Sequence, residues 1–137
     1  MKILVIDDDA DIRFMAALSL HAVGGMEVVE AAGGLDGLRK AKEALPDVIL
    51  LDMMMPLMNG SETLAALRAD PATAAIPVIF LIAKTVLAEE QRMKMLGAAG
   101  VLIKPFNLRT LPSDVRAVLA EWKTPSVEAP EPLLPLK

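Results

Sequence analysis

Residues 47–60, DVILLDMMMPLMNG, constrain this chain more than any other stretch. Val48, Ile49, Leu50 and Leu51 form an apolar run without polar alternation, the pattern of a strand covered on both faces of a parallel sheet. The run stops at a carboxylate. A buried unpaired charge is costly, so Asp52 belongs at the carboxyl end of the strand, facing a crevice. Pro56, Asn59 and Gly60 then break the chain into a loop, and a helical pattern opens at Ser61, Glu62 and Leu64. An acid at a strand tip, followed by a loop into a helix, is the architecture of a site.

The same alternation fills the rest of the chain. Apolar strands are predicted at residues 2–6, 26–31, 48–51, 78–82 and 101–103. Helices are predicted at 11–23, 35–45, 61–69, 85–96 and 108–122, with Ile12, Met15, Ala16 and Leu20 of the first on related faces. Gly24-Gly25, Pro46, Asp70-Pro71 and Gly97 punctuate the helix ends. Five strand–helix repeats of roughly 20–30 residues predict one α/β domain over residues 1–122: a doubly wound, five-stranded parallel sheet with five helices, in the flavodoxin-like order 2-1-3-4-5. Residues 123–137 change character. Four prolines among Ser, Glu and Ala predict an extended tail or linker, with Leu133, Leu134 and Leu136 as its apolar exceptions. No further domain is expected after it, and the expected output is through protein contacts.

Composition removes several function classes. A net charge of −4 and pI near 5.0 lack the clustered Lys and Arg of a phosphate-backbone binder, so direct nucleic-acid binding is not expected. Mean hydropathy is +0.46, yet no apolar run approaches the roughly 20 residues of a membrane span. The opening MKILVID enters a strand directly with no signal-peptide pattern, and there is no cysteine, so a cytoplasmic location is expected. His21, the only histidine, cannot form a histidine metal cluster and is expected near a helix end, partly exposed. Met53, Met54 and Met55 are expected to fill loop packing, and Phe106 and Trp122 to pack the last helix and its entry.

In a doubly wound sheet, the carboxyl ends of the strands share one crevice. Asp7 and Asp8 after the first strand, Asp52 after the third and Lys104 after the fifth therefore converge. Three carboxylates in contact repel one another unless a cation shares the site. A hard divalent ion such as Mg²⁺, bound through oxygen and water, resolves that conflict, and Lys104 adds a fixed positive charge for Asp52 or a phosphoryl oxygen. An aspartate so placed can attack phosphorus and form an acyl phosphate. The plain alternative is that Asp52 only caps the helix that follows.

Four segments carry a family resemblance over about residues 1–122: ILVIDDD, PDVILLDMMMPLMNG, IPVIFLIAK and GAAGVLIKPF. In this order and spacing they resemble the receiver domain of bacterial two-component response regulators, in the mould of the single-domain chemotaxis regulator. The resemblance implies that Asp52 is the phosphoacceptor and that Asp7 and Asp8 bind Mg²⁺ with it, together with the backbone carbonyl of Met54. It implies that Lys104 contacts the phosphoryl group, that the Lys104-Pro105 peptide is cis, and that side chains 54 and 84 (Met54 and Lys84) tune the lifetime of the acyl phosphate. It also implies a histidine kinase or histidine phosphotransfer protein as donor and an unidentified downstream protein as target. A homodimer through the face of the fourth and fifth helices is compatible with it.

Two positions depart from the family pattern. Ile82 stands where Ser or Thr usually ends the fourth strand, and Val101 stands where an aromatic ring usually lies in the fifth. Thr85 is three residues away from the missing hydroxyl. A degenerate receiver, kept as an interaction module without productive phosphorylation, is the alternative these departures raise. A Mg²⁺-dependent phosphohydrolase would want a second acid two residues after Asp52, where Met54 stands.

Overall fold

Apolar β-branched and aliphatic runs make the centre of the protein a five-stranded parallel sheet, in the order β2-β1-β3-β4-β5. The computed structural model describes residues 1–83, 92, 94 and 96–123. The strands are β1 (Lys2–Ile6), β2 (Glu27–Ala31), β3 (Val48–Asp52), β4 (Val78–Ala83) and β5 (Gly100–Lys104). The helices are α1 (Ala10–Leu18), α2 (Gly34–Ala44), α3 (Gly60–Ala69) and α4 (Leu111–Lys123). The helix expected over 85–96 and the tail from 124 onward lie outside the described residues, apart from positions 92, 94 and 96. Among the described residues no helix is long and apolar enough to cross a membrane.

Alternate side chains of each inner strand feed two separate apolar layers. Ile6, Ile49, Leu51, Phe80 and Ile82 pack with Ala41, Leu64 and Leu67 of α2 and α3. Ile3, Val5, Leu50, Ile79 and Leu81 pack with Ala16 and Leu20 on one side and Leu111, Val115 and Leu119 of α4 on the other. All five residues of β3 are buried, in keeping with the unbroken apolar pattern of its sequence.

The first helix departs from expectation. It is α-helical only to Leu18, and Ser19–Val23 winds as a wider π-helical turn. Within that turn the Ser19 hydroxyl donates to the Leu108 carbonyl, while Gly24 lies against Pro112, where a Cβ would come within 2.7 Å. Ala16 and Leu20 are buried as expected, but Met15 is 39% exposed and Phe14 63% exposed. The last helix starts at Leu111 rather than 108, because Asn107 holds the preceding turn: its carbonyl accepts from the Thr110 and Leu111 N–H groups.

Candidate functional site

Strand termination places each acid. Asp7 follows the last residue of β1, yet its N–H still donates to the Ala31 carbonyl (3.1 Å), so it is drawn under the sheet edge and fully buried. Asp8 is exposed. Asp9 turns away to cap α1, accepting from the Asp11 and Ile12 N–H groups at 2.9 and 3.3 Å. Of three consecutive aspartates, only the first two are left for the crevice.

Asp52 ends β3 and is 3% exposed. The helix that follows does not need it as a cap. Asn59 fills that place in a reciprocal capping box with Glu62: the Asn59 side chain accepts from the Glu62 N–H (2.9 Å), and Glu62 accepts from the Asn59 N–H (2.9 Å). Gly60 brings the loop back onto the strand tip, donating to the Met53 carbonyl at 2.9 Å. A Cβ at Gly60 would meet the Asp52 carbonyl oxygen and the Met53 Cα at 2.7 Å, both backbone atoms that cannot yield.

Lys104, the last residue of β5, reaches across this space. Its Nζ lies 3.0 Å from Asp52 Oδ1 and 3.4 Å from Asp7 Oδ2. One oxygen each from Asp7, Asp8 and Asp52 falls within 4.8 Å of the others. The four residues, far apart in sequence apart from the neighbours Asp7 and Asp8, are therefore brought together. The Lys104–Pro105 peptide is cis. Three carboxylates against one ammonium leave a formal charge of two negatives on an all-oxygen donor set, which suits a hard divalent cation such as Mg²⁺. Beside Asp8 a cleft of about 460 Å³ runs along Gly33, Gly34, Met55 and Leu57. Apart from Asp8 its walls are apolar or, at Asp36, committed to Arg39 and Lys40, so it adds no ligand to the acids.

Burial pushes the Asp52 carboxyl up to about 6, and the charge of Asp7 adds to the rise, while the Lys104 hydrogen bond and the Met54 N–H (3.4 Å) pull it back. Burial also works against the Lys104 ammonium, but Asp52 and then Asp7 outweigh it and raise its pKa. The consequence for stability has a definite sign. Folded Asp52 holds a proton more tightly than an ordinary carboxylate at 3.8, so its own contribution to the stability of the metal-free protein falls as pH rises from about 4 to about 6. Asp52→Asn has nothing to titrate there. Its advantage over the parent in chelator should grow through that window and level off above it, at no more than about 3 kcal/mol. Urea midpoints at pH 4.5 and 7.5 check this, and a gap independent of pH contradicts it.

The other expected residues fall as follows. Met53 and Met55 pack on the core, but Met54 is 71% exposed, with its amide turned to Asp52. Ile82 is buried and Val101 half-buried on the same apolar layer. Lys84 and Thr85 lie outside the described residues. His21 is exposed, with Nδ1 3.1 Å from the Met26 carbonyl. Phe106 packs against the α1/α4 layer, while Trp122 is 41% exposed. Sequence reading passed over Arg13, whose Nη1 donates to the Asp7 carbonyl at 2.8 Å. It also took Asn59 only as a loop breaker, although the N-G-S-E spacing carries the capping-box signature.

Residues 3–116 match the family model for the response regulator receiver domain. The chain belongs to that family. Among curated relatives, this receiver is 36% identical over 121 residues to protein PilH of Pseudomonas aeruginosa, covering 87% of this chain and 98% of that one. It is 34% identical over 117 residues to protein PilG of the same organism, covering 85% and 86%. The structure of the chemotaxis response regulator CheY4 of Vibrio cholerae superposes with a TM-score of 0.78 at 38% identity, over 85% of this receiver and 97% of that chain. Other matched relatives, among them DNA-binding regulators, are longer, and the receiver spans about half their length. Receiver domains are phosphoacceptors rather than conventional enzymes. They bind Mg²⁺ at an acidic cluster of this kind and interact with histidine kinases or phosphotransfer proteins.

Proposed function

We propose that this receiver accepts a phosphoryl group on Asp52 from the phosphohistidine of a histidine kinase or histidine phosphotransfer protein, in a Mg²⁺-dependent step, and signals through protein contacts. The observation that carries the reading is the meeting of Asp52, Asp7 and Lys104 at 3.0 and 3.4 Å, with the Asp8 carboxylate beside them. In the transfer, an Asp52 carboxylate oxygen attacks phosphorus, the phosphorus–nitrogen bond of the donor breaks, and the electron pair stays on the imidazole. Asp7, Asp8, Asp52 and the Met54 carbonyl would hold Mg²⁺, which when bound offsets negative charge on the phosphoryl oxygens. Lys104 leaves its resting partner Asp52 and pairs with a phosphoryl oxygen. Met54 and Lys84, the lifetime-tuning positions that the resemblance implies, would set how readily water reaches the acyl phosphate.

The way the signal leaves the site differs from the family pattern. An equilibrium shifts only through contacts that differ between its states. Ile82 offers no hydroxyl to follow the phosphoryl group, and Val101 offers no ring to swing. Phosphorylation therefore signals weakly, or through other contacts, at the face of the expected fourth and fifth helices, where a homodimer would also form. These same two residues favour the second reading, an interaction module without productive phosphorylation. Intact mass after treatment with acetyl phosphate separates the two. The phosphoacceptor reading predicts one added phosphoryl group with Mg²⁺ and none with chelator; no addition under either condition leaves the second reading standing.

A further inference from the structure

Arg13 is a residue that phosphoacceptor chemistry does not itself call for. It lies in the first turn of α1, and its side chain folds back over the loop that carries the acids. Nη1 donates to the Asp7 carbonyl at 2.8 Å, and Nε stands 3.4 Å from Glu30 Oε1 on β2. The other side of Asp7 is fixed as well: its N–H donates to the Ala31 carbonyl at 3.1 Å, one residue along β2 from Glu30. The Asp7 carboxylate accepts from the Asp9 N–H at 2.9 Å and from Lys104. The carbonyl that Arg13 grips belongs to the peptide plane joining Asp7 to Asp8, and the orientation of that plane decides where the exposed Asp8 side chain starts.

We infer that Arg13, braced by Glu30, is a positioning residue for the divalent cation: it fixes the Asp7–Asp8 peptide plane and so sets the affinity of the acid pair for Mg²⁺. The inference rests on the reading of these acids as the Mg²⁺ site. Electrostatics alone gives the opposite sign. Deleting a guanidinium bonded to the Asp7 carbonyl makes the locale of the acid pair more negative, which by itself tightens cation binding. Partners that orient metal ligands act the other way, and their loss typically weakens metal binding about 10- to 100-fold. As a contributor to stability the Arg13–Glu30 pair counts for little, because Glu30 is 44% exposed.

Calorimetric titration of the full chain with Mg²⁺ tests this in the parent, Arg13→Ala, Arg13→Lys and Glu30→Gln. The expected result is a dissociation constant raised about 10-fold or more in Arg13→Ala. A smaller rise is expected in Glu30→Gln, and partial recovery in Arg13→Lys, which keeps one donor for the Asp7 carbonyl. In acetyl phosphate uptake, the half-saturating Mg²⁺ concentration should rise by the same factor while the rate at saturating Mg²⁺ is unchanged, a split that a merely structural role would not produce. Unchanged or tighter Mg²⁺ binding in Arg13→Ala overturns the inference. So does an equal loss of saturating rate and thermal midpoint in chelator without a change in affinity. If Arg13→Ala fails to fold, Glu30→Gln and Arg13→Lys decide by the same readings. A parent that binds no Mg²⁺ overturns the reading beneath it instead, so the two failures are distinguishable.

Discussion

Asp52→Asn takes up no phosphate from acetyl phosphate at any Mg²⁺ concentration, while its fold is kept and, above pH 6, strengthened. The variant keeps the shape of the side chain and an oxygen to accept from Lys104 at the position now 3.0 Å away. What it removes is the anionic oxygen that attacks phosphorus, and an amide is a far poorer nucleophile at that centre. Loss of uptake with retained or increased stability separates a chemical role from a packing role, because burial holds the Asp52 carboxyl near 6 at the expense of the fold. Intact mass and a urea titration on the same sample read both quantities. Uptake equal to that of the parent would move the acceptor to another residue.

Lys104→Ala has the second-largest effect, and it divides into two parts. At rest the ammonium is the one positive group within 3.4 Å of the Asp7 and Asp52 carboxylate oxygens among the described contacts. Without it the two buried carboxylates face each other directly. Asp52 then takes a proton rather than remain charged beside Asp7, so in chelator near pH 7 the loss of stability is limited to about 1–3 kcal/mol. Saturating Mg²⁺ supplies the missing charge and should recover most of that loss. Phosphate uptake should not recover, because no group is left to meet the phosphoryl oxygen as charge develops on it. A fall of roughly 10²- to 10³-fold in rate is expected, the scale of removing one preorganised donor. Thermal midpoints with and without Mg²⁺, beside uptake rates at saturating Mg²⁺, check both halves. Full recovery of the rate by Mg²⁺ would reduce Lys104 to a resting counter-charge.

The sheet and the place of the acids were legible because one physical rule governs both. A parallel strand covered on both faces must be apolar throughout, so the first charge after it marks its carboxyl end, and strand ends of a doubly wound sheet share one crevice. Asp52, Asp7 and Lys104 each announce themselves in this way. Asp9 did not separate from Asp7 and Asp8, since a run of three identical residues gives no sign of which one turns to cap a helix; the Asp11 and Ile12 N–H groups decide it in space. The break in the first helix at Ser19 was hidden for a different reason. Residues 11–23 keep a helical apolar spacing, while the wider turn answers to distant partners, the Leu108 carbonyl and the Pro112 ring against Gly24. Met15 and Phe14 share this origin: with α1 packed through Ala16 and the wider turn after it through Leu20, neighbours on the helical wheel are left facing outward. Arg13 was illegible because arginine on a helix reads as a solvated face until its target, a main-chain carbonyl six residues back, is seen.

The most direct measurement is the location of the phosphate. Borohydride reduction traps an aspartyl phosphate as an alcohol, and tryptic cleavage isolates residues 43–68, which contain Asp52 as well as Glu43, Asp47 and Glu62. After acetyl phosphate and Mg²⁺, the reduced side chain should be Asp52 alone, and it should vanish when Mg²⁺ is chelated. Reduction at Asp7, Asp8 or any other carboxylate in place of Asp52, or modification indifferent to Mg²⁺, would contradict the account.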